Sequence, residues 1–154
     1  MTHPTLARAV QSLAVMNAKS LLVGDVMTKD IVTLDRNERL AVADDVMRLG
    51  RIRHLPIIDE EGALAGIVSQ RDLFHSGLLR ALGFGSHAKD RAMDALVLKE
   101  AMKTEVATVA PSTPLAEAAR TMFEKKIGCL VVVEGTKIVG ILTEGDFVKL
   151  ALRD

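Results

Sequence analysis

Two stretches of the sequence carry the residue types best suited to hold a ligand: Ser69 and Asp72 in GIVSQRD, and Thr143 and Asp146 in GILTEGD. In both, a hydroxyl is followed three residues later by a carboxylate, and the two stretches lie 74 positions apart. A carboxylate has two oxygens and can accept both hydroxyls of a cis-diol, which is what a ribose offers. A hydroxyl residue placed where a strand becomes a helix stands beside unpaired helix N–H groups, which favour a phosphate. The same spacing also describes a helix capping box, which needs no ligand. One side chain can serve both purposes.

The elements that must position these residues are repeated as well. LVGDVMTKDIVTL (22–34) lies over VLKEAMKTEVATV (97–109), with Met27 on Met102. ERLAVADDVMRLGRIRHLPIID (38–59) lies over TPLAEAARTMFEKKIGCLVVVE (113–134), and a one-residue deletion in the next turn brings Gly66 onto Gly140. Each copy reads strand, helix, strand, strand, helix. IVTL is a short apolar strand. Asn37 is expected to cap a helix whose buried face is Leu40, Ala43, Val46 and Met47 and which Gly50 closes. In the second copy Thr113 is the expected cap, Pro114 the first helical position, and Leu115, Ala118, Ala119 and Met122 the stripe. HLPII, the turn DEEG and LAGIV predict a hairpin. Pro56 lacks a ladder donor and is expected at the start of its strand or on an edge. The second helices run from Gln70 toward Leu82, and from Glu144 to the C-terminus.

Ahead of the repeat, Leu6, Ala9, Val10, Leu13 and Ala14 make the stripe of an amphipathic helix. The expected organisation is an N-terminal helix over 1–21, a first copy over 22–82, a linker over 83–96 and a second copy over 97–154. One copy has too few strands to bury its own apolar face, so the two are predicted to pack across a pseudo-twofold axis as one folding unit.

Composition narrows the function classes. The chain of 154 residues has 20 basic and 20 acidic side chains, so no basic stripe points to nucleic acid or an anionic membrane. Four Phe and no Trp or Tyr leave no stacking platform for single-stranded nucleic acid, and the core must be aliphatic. Cys129 is the only cysteine, which excludes an internal disulfide and a thiolate metal cluster; beside Leu130 it reads as a small buried hydrophobe. No apolar run approaches the roughly 20 residues of a membrane span, and the N-terminal segment is a poor secretory signal. The expected compartment is the cytoplasm. His3, His54, His75 and His87 show no metal-ligand spacing. GFGSH (83–87) follows a helix rather than a strand, so it is not read as a phosphate loop. No nucleophile constellation or acid–base pair is evident, and the chain reads as non-enzymatic.

The element order, with LPIIDEEGALAGIVSQRDL in copy one and LVVVEGTKIVGILTEGDFV in copy two, resembles the CBS domain, which occurs in tandem pairs called Bateman modules. The resemblance covers roughly residues 22–82 and 97–152. It implies an α/β (α+β) fold of two β-α-β-β-α repeats, with the N-terminal helix as an addition. Within the family, glycine, hydrophobic, any residue, Ser or Thr, two of any, Asp is the nucleoside-binding signature. Ser69 with Asp72, and Thr143 with Asp146, match it without a gap.

The resemblance further implies ligands in a cleft between the copies. The Asp146 site would borrow Thr28, Ile31, Val32 and the run Ile52, Arg53, His54, Leu55, Pro56. The Asp72 site would borrow Val106, Ala107 and the run that includes Ile127, Gly128 and Cys129. Isoleucine and valine suit the flat faces of an adenine. Arg53 and His54 stand where ligand-binding relatives often carry basic residues against phosphates. Gly128 and Cys129 occupy the matching places in copy two, so the clefts are expected to be unequal. The implied function is a small regulatory module that binds AMP, ADP, ATP or S-adenosylmethionine, senses metabolite or energy state, and acts in trans on an unknown regulated protein, as a homodimer. The alternative is a ligand-free dimerisation or interaction scaffold.

Overall fold

Leu40, Ala43 and Met47 recur at helical spacing as Leu115, Ala118 and Met122, and all six are buried. The computed structural model describes residues 20–81 and 88–153; the expected N-terminal helix stripe and the GFGSH segment lie outside them. In chain order the elements are α1 (Val23–Val26), β1 (Leu34–Asp35), α2 (Leu40–Gly50), β2 (His54–Ile58), β3 (Leu64–Ser69), α3 (Gln70–Ala81) and α4 (Ala88–Ala95). A 3-10 turn (Leu98–Glu100) leads to β4 (Thr108–Val109), α5 (Leu115–Lys125), β5 (Cys129–Glu134), β6 (Lys137–Thr143) and α6 (Glu144–Ala151). The fold is mixed α+β, with two three-stranded sheets ordered β1-β2-β3 and β4-β5-β6. In each sheet a two-residue strand pairs in parallel with the strand after the first helix: Leu34 with Ile57, and Thr108 with Val131.

The described chain divides into two compact units that do not follow the repeat boundaries. One gathers Ile31–Val106 with Thr136–Ile138, and the other gathers the described part of Met1–Asp30, Ala107–Gly135 and Val139–Asp154. In the first unit Leu96 and Leu98 join a core of Leu40, Ala43, Met47, Leu55, Ile57, Val68 and Leu73. In the second, Val23 and Val26 join Leu115, Ala118, Met122, Leu130, Val132 and Leu142. So the short turn that opens each copy completes the core containing the other copy's first helix. Each fully buried Leu or Val there contributes roughly 1.5–3 kcal/mol relative to exposure.

This arrangement explains where the helices begin. The Leu40 N–H donates to Leu96 O at 2.9 Å, and the Leu115 N–H donates to Leu21 O at 2.8 Å. These carbonyls satisfy first-turn donors that the sequence assigns to side-chain caps. Asn37 is therefore not the cap. It lies in the preceding turn, its N–H on Asp35 Oδ1 at 2.8 Å and its amide on Glu60 at 3.0 Å. In copy two Pro114 rather than Thr113 is the capping position. At the other end Gly50 is still helical, and the left-handed residue is Arg51 (φ 52°), matched by Lys126 (φ 53°) after α5.

Pro56 is the third residue of the central strand β2, neither first nor on an edge. Its partner Ile67 turns its own N–H and C=O away, to Lys103, and β1 begins pairing only at Ile57. No ladder N–H is asked of residue 56, which is why proline is tolerated there. The stretch expected as linker contains α4, whose Met93 is buried in the first unit's core.

Candidate functional site

Both hydroxyl–carboxylate pairs sit where strand becomes helix. Ser69 ends β3 and Gln70 opens α3; Thr143 ends β6 and Glu144 opens α6. In copy one the capping box closes in both directions: the Ser69 N–H donates to Asp72 Oδ2 at 2.9 Å, and the Asp72 N–H donates to Ser69 Oγ at 3.0 Å. In copy two the Thr143 N–H donates to Asp146 Oδ2 at 2.8 Å. The capping role is thus real in both copies, and it leaves one carboxylate oxygen of each Asp turned away from its own helix.

A second segment crosses each corner, and the glycine of the motif admits it. A Cβ on Gly66 would lie 2.6 Å from Met102 Sδ and 2.8 Å from Lys103 O. A Cβ on Gly140 would lie 2.6 Å from Met27 Sδ and 3.0 Å from Thr28 O. Through these gaps Lys103 exchanges two backbone hydrogen bonds with Ile67, both 2.9 Å, and Thr28 exchanges two with Ile141, at 2.9 and 3.0 Å. Methionine and glycine are therefore paired parts of one joint. The joint fixes residue 103 beside Asp72 and residue 28 beside Asp146.

The two corners diverge at that crossing residue. The Thr28 hydroxyl donates to Asp146 Oδ1 at 2.8 Å, so each oxygen of this carboxylate already accepts one short hydrogen bond. Asp146 is 4% exposed, the sole buried charged residue among those described. The donors that hold it, the Thr143 N–H and the Thr28 hydroxyl, are neutral. At Asp72, Oδ1 faces Lys103 Nζ at 3.6 Å, a loose ion pair beyond hydrogen-bond length. The Asp72 side chain is 17% exposed and that of Lys103 is 69% exposed. A carboxylate oxygen has two lone pairs, so both aspartates retain acceptor capacity for a diol.

The other candidate residues fall into the same two units. Ile31, Val32, Ile52, Arg53, His54 and Pro56 lie in the unit of Ser69 and Asp72; Thr28, Ile127, Gly128 and Cys129 lie in that of Thr143 and Asp146. His54 is the register partner of Ser69, and the Arg53 carbonyl accepts the Gln70 N–H at 2.8 Å, so this pair of residues flanks the first corner through its backbone. Gly128 O accepts the Glu144 N–H at 3.2 Å in the equivalent place. The Arg53 side chain is exposed, Pro56 and Cys129 are buried, and Val32 is exposed. Lys103 was not among the residues singled out from sequence, although it occupies the repeat position of Thr28. Carrying Thr28 across the repeat would have found it. Among the described residues no group of three potential metal ligands is present, and no helix is long and apolar enough to cross a membrane.

The family model for the CBS domain matches residues 23–78 and 98–153. A Vibrio cholerae protein given the name acetoin utilization protein (AcuB) has a crystal structure 41% identical to this chain, with a TM-score of 0.74, covering 86% of this chain and 90% of that one. The CBS domain pair of protein MJ0100, in complex with 5-methylthioadenosine and S-adenosyl-L-methionine, is 29% identical with a TM-score of 0.67 over 84% of this chain and 94% of that one. CBSX2 in complex with AMP is 29% identical with a TM-score of 0.71 over 86% and 97%. The chain spans only 24% of the homoserine O-acetyltransferase of Methanococcoides burtonii, to which it is 30% identical over 129 residues.

Proposed function

Since this chain belongs to the CBS domain family, we propose that it is a regulatory module that binds an adenosine-containing ligand at the Ser69–Asp72 and Thr143–Asp146 corners. The observation that carries the reading is the recurrence of one device: a carboxylate pinned by its own helix cap, with acceptor capacity remaining and a second polar side chain brought to it through a glycine gap. A capping box alone needs neither the gap nor the crossing residue. The AMP and S-adenosylmethionine complexes of two relatives support the ligand class.

In this reading the ribose diol bonds the aspartate, and Ser69 or Thr143 with the helix N-terminus favours a phosphate. Following the family resemblance, Ile31, Val32, Ile52 and Pro56 supply apolar surface for a base, with Arg53 and His54 toward phosphates, and Ile127, Gly128 and Cys129 are their counterparts in the second copy. The output acts in trans, on a protein whose activity depends on the ligand. The name carried by the 41% identical relative makes acetoin utilisation the first process in which to seek that protein. A second copy is the proposed cover for Phe74 and Val148, equivalent exposed apolar residues on α3 and α6; light scattering at monomer mass throughout the micromolar range would remove that part.

The test is thermal unfolding of the purified protein with adenosine, AMP, ADP, ATP and S-adenosylmethionine. At 100 times its dissociation constant a native-state ligand adds about 2.7 kcal/mol, a rise of several degrees for a domain of this size. The absence of a shift with every ligand would leave the ligand-free scaffold as the function.

A further inference from the structure

We infer that Lys103 makes the Asp72 corner selective for anionic nucleotides over uncharged nucleosides and cationic adenosine derivatives. The inference rests on the proposed adenosine-binding function and deepens it by assigning a charge preference to one corner. Three observations carry it. Asp72 Oδ2 is committed to the Ser69 N–H at 2.9 Å, while Oδ1 faces the Lys103 ammonium at 3.6 Å. The Lys103 backbone is fixed by its two bonds to Ile67, yet its side chain is 69% exposed, so the head can swing while its root stays in place. The repeat position in copy two is Thr28, a short uncharged side chain hydrogen-bonded to its aspartate at 2.8 Å.

A ribose hydroxyl that takes Asp72 Oδ1 must weaken the ion pair. With a nucleoside, the lysine is left with a partly shielded carboxylate and nothing in exchange. With a nucleotide, the same ammonium turns from the carboxylate to the phosphate, so that both anions keep a partner. A ligand carrying a sulfonium or ammonium group meets like charge instead. Lysine suits this role better than arginine would at a bidentate site, being a point charge on a flexible stem. The Thr28 hydroxyl contributes no such selection at the Asp146 corner.

The experiment is calorimetric titration of AMP and adenosine into wild-type protein, Lys103→Met and Lys103→Arg, with Asp72→Asn identifying which class of sites belongs to this corner. In that class wild-type protein is expected to prefer AMP to adenosine by about ten-fold, the size of one charge-assisted hydrogen bond at a partly exposed position. Lys103→Met removes the preference by weakening AMP while leaving adenosine unchanged or tighter, and Lys103→Arg keeps most of it. An unchanged AMP-to-adenosine ratio in Lys103→Met, or equal losses of both ligands, overturns the inference while leaving the adenosine-binding function intact. If neither ligand binds wild-type protein, both the inference and the adenosine-binding function are overturned. Circular dichroism melting of Lys103→Met, expected to match wild type, separates a binding effect from a folding one.

Discussion

The corners at Asp72 and Asp146 share a glycine gap, a methionine that fills it and a carboxylate that caps a helix, yet they differ in electrostatic character. One aspartate is buried with neutral donors on its carboxylate, and the other faces an exposed ammonium. The difference comes from one position in the crossing segment, Thr28 against Lys103. The duplicated motif therefore duplicates the scaffold, while the residue delivered through the gap sets the chemistry of each site.

The largest expected effect breaks the shared part. Gly66→Ala should destabilise by about 2–3 kcal/mol, because the new Cβ meets the Lys103 carbonyl at 2.8 Å and a backbone atom cannot swing aside. Gly140→Ala should cost less, about 1–2 kcal/mol, since the nearest backbone oxygen is 3.0 Å away and the closer Met27 sulfur can move. Urea midpoints measure both. Equal and small losses would mean that the crossing segments are not held in these gaps.

Next in size is the contrast between the carboxylates. Asp146→Ala strands the part-buried Thr143 N–H and Thr28 hydroxyl and should cost about 2–3 kcal/mol, whereas Asp72→Ala removes a more exposed cap for about 1 kcal/mol. The reverse order would show that burial does not distinguish the corners. Exchanging the crossing residue is expected to be mild: Lys103→Thr should change stability by no more than about 0.5 kcal/mol, because an exposed ion pair contributes little.

Much of this was legible in the sequence. The stripes Leu40, Ala43, Met47 and Leu115, Ala118, Met122 follow from helical periodicity alone. The strand-to-helix position of Ser69 and Thr143 follows from the hairpin pattern, and Thr28 was placed with Asp146 through the family resemblance. The rest depends on contacts between distant parts of the chain. Periodicity cannot show that Val23 and Val26 pack with Leu115 while Leu98 packs with Leu40. Nor can it show that backbone carbonyls of Leu21 and Leu96 do the work of side-chain caps. The place of Pro56 depends on which neighbours stop short of it, and Lys103 matters only because Gly66 admits its segment.

A further small effect, opposite in sign, lies at the helix ends, where both copies set a basic residue in the left-handed region instead of glycine. Arg51→Gly and Lys126→Gly should each stabilise by up to about 1 kcal/mol, by relieving a Cβ contact with the carbonyl. A matched gain in both would mark the two helix ends as equivalent, in contrast to the two corners.

The most direct measurement of the central claim, that these corners bind an adenosine ligand as well as cap their helices, is a calorimetric titration of AMP into Asp72→Glu beside wild-type protein. A capping box accepts Glu at its third position as readily as Asp, so the variant is expected to melt near wild type without ligand. A ribose clamp needs its carboxylate at a fixed reach, so the variant is expected to lose one class of the AMP sites that wild-type protein shows. A wild-type isotherm from the stable variant would contradict the account, and the Ser69–Asp72 pair would then be a helix cap alone.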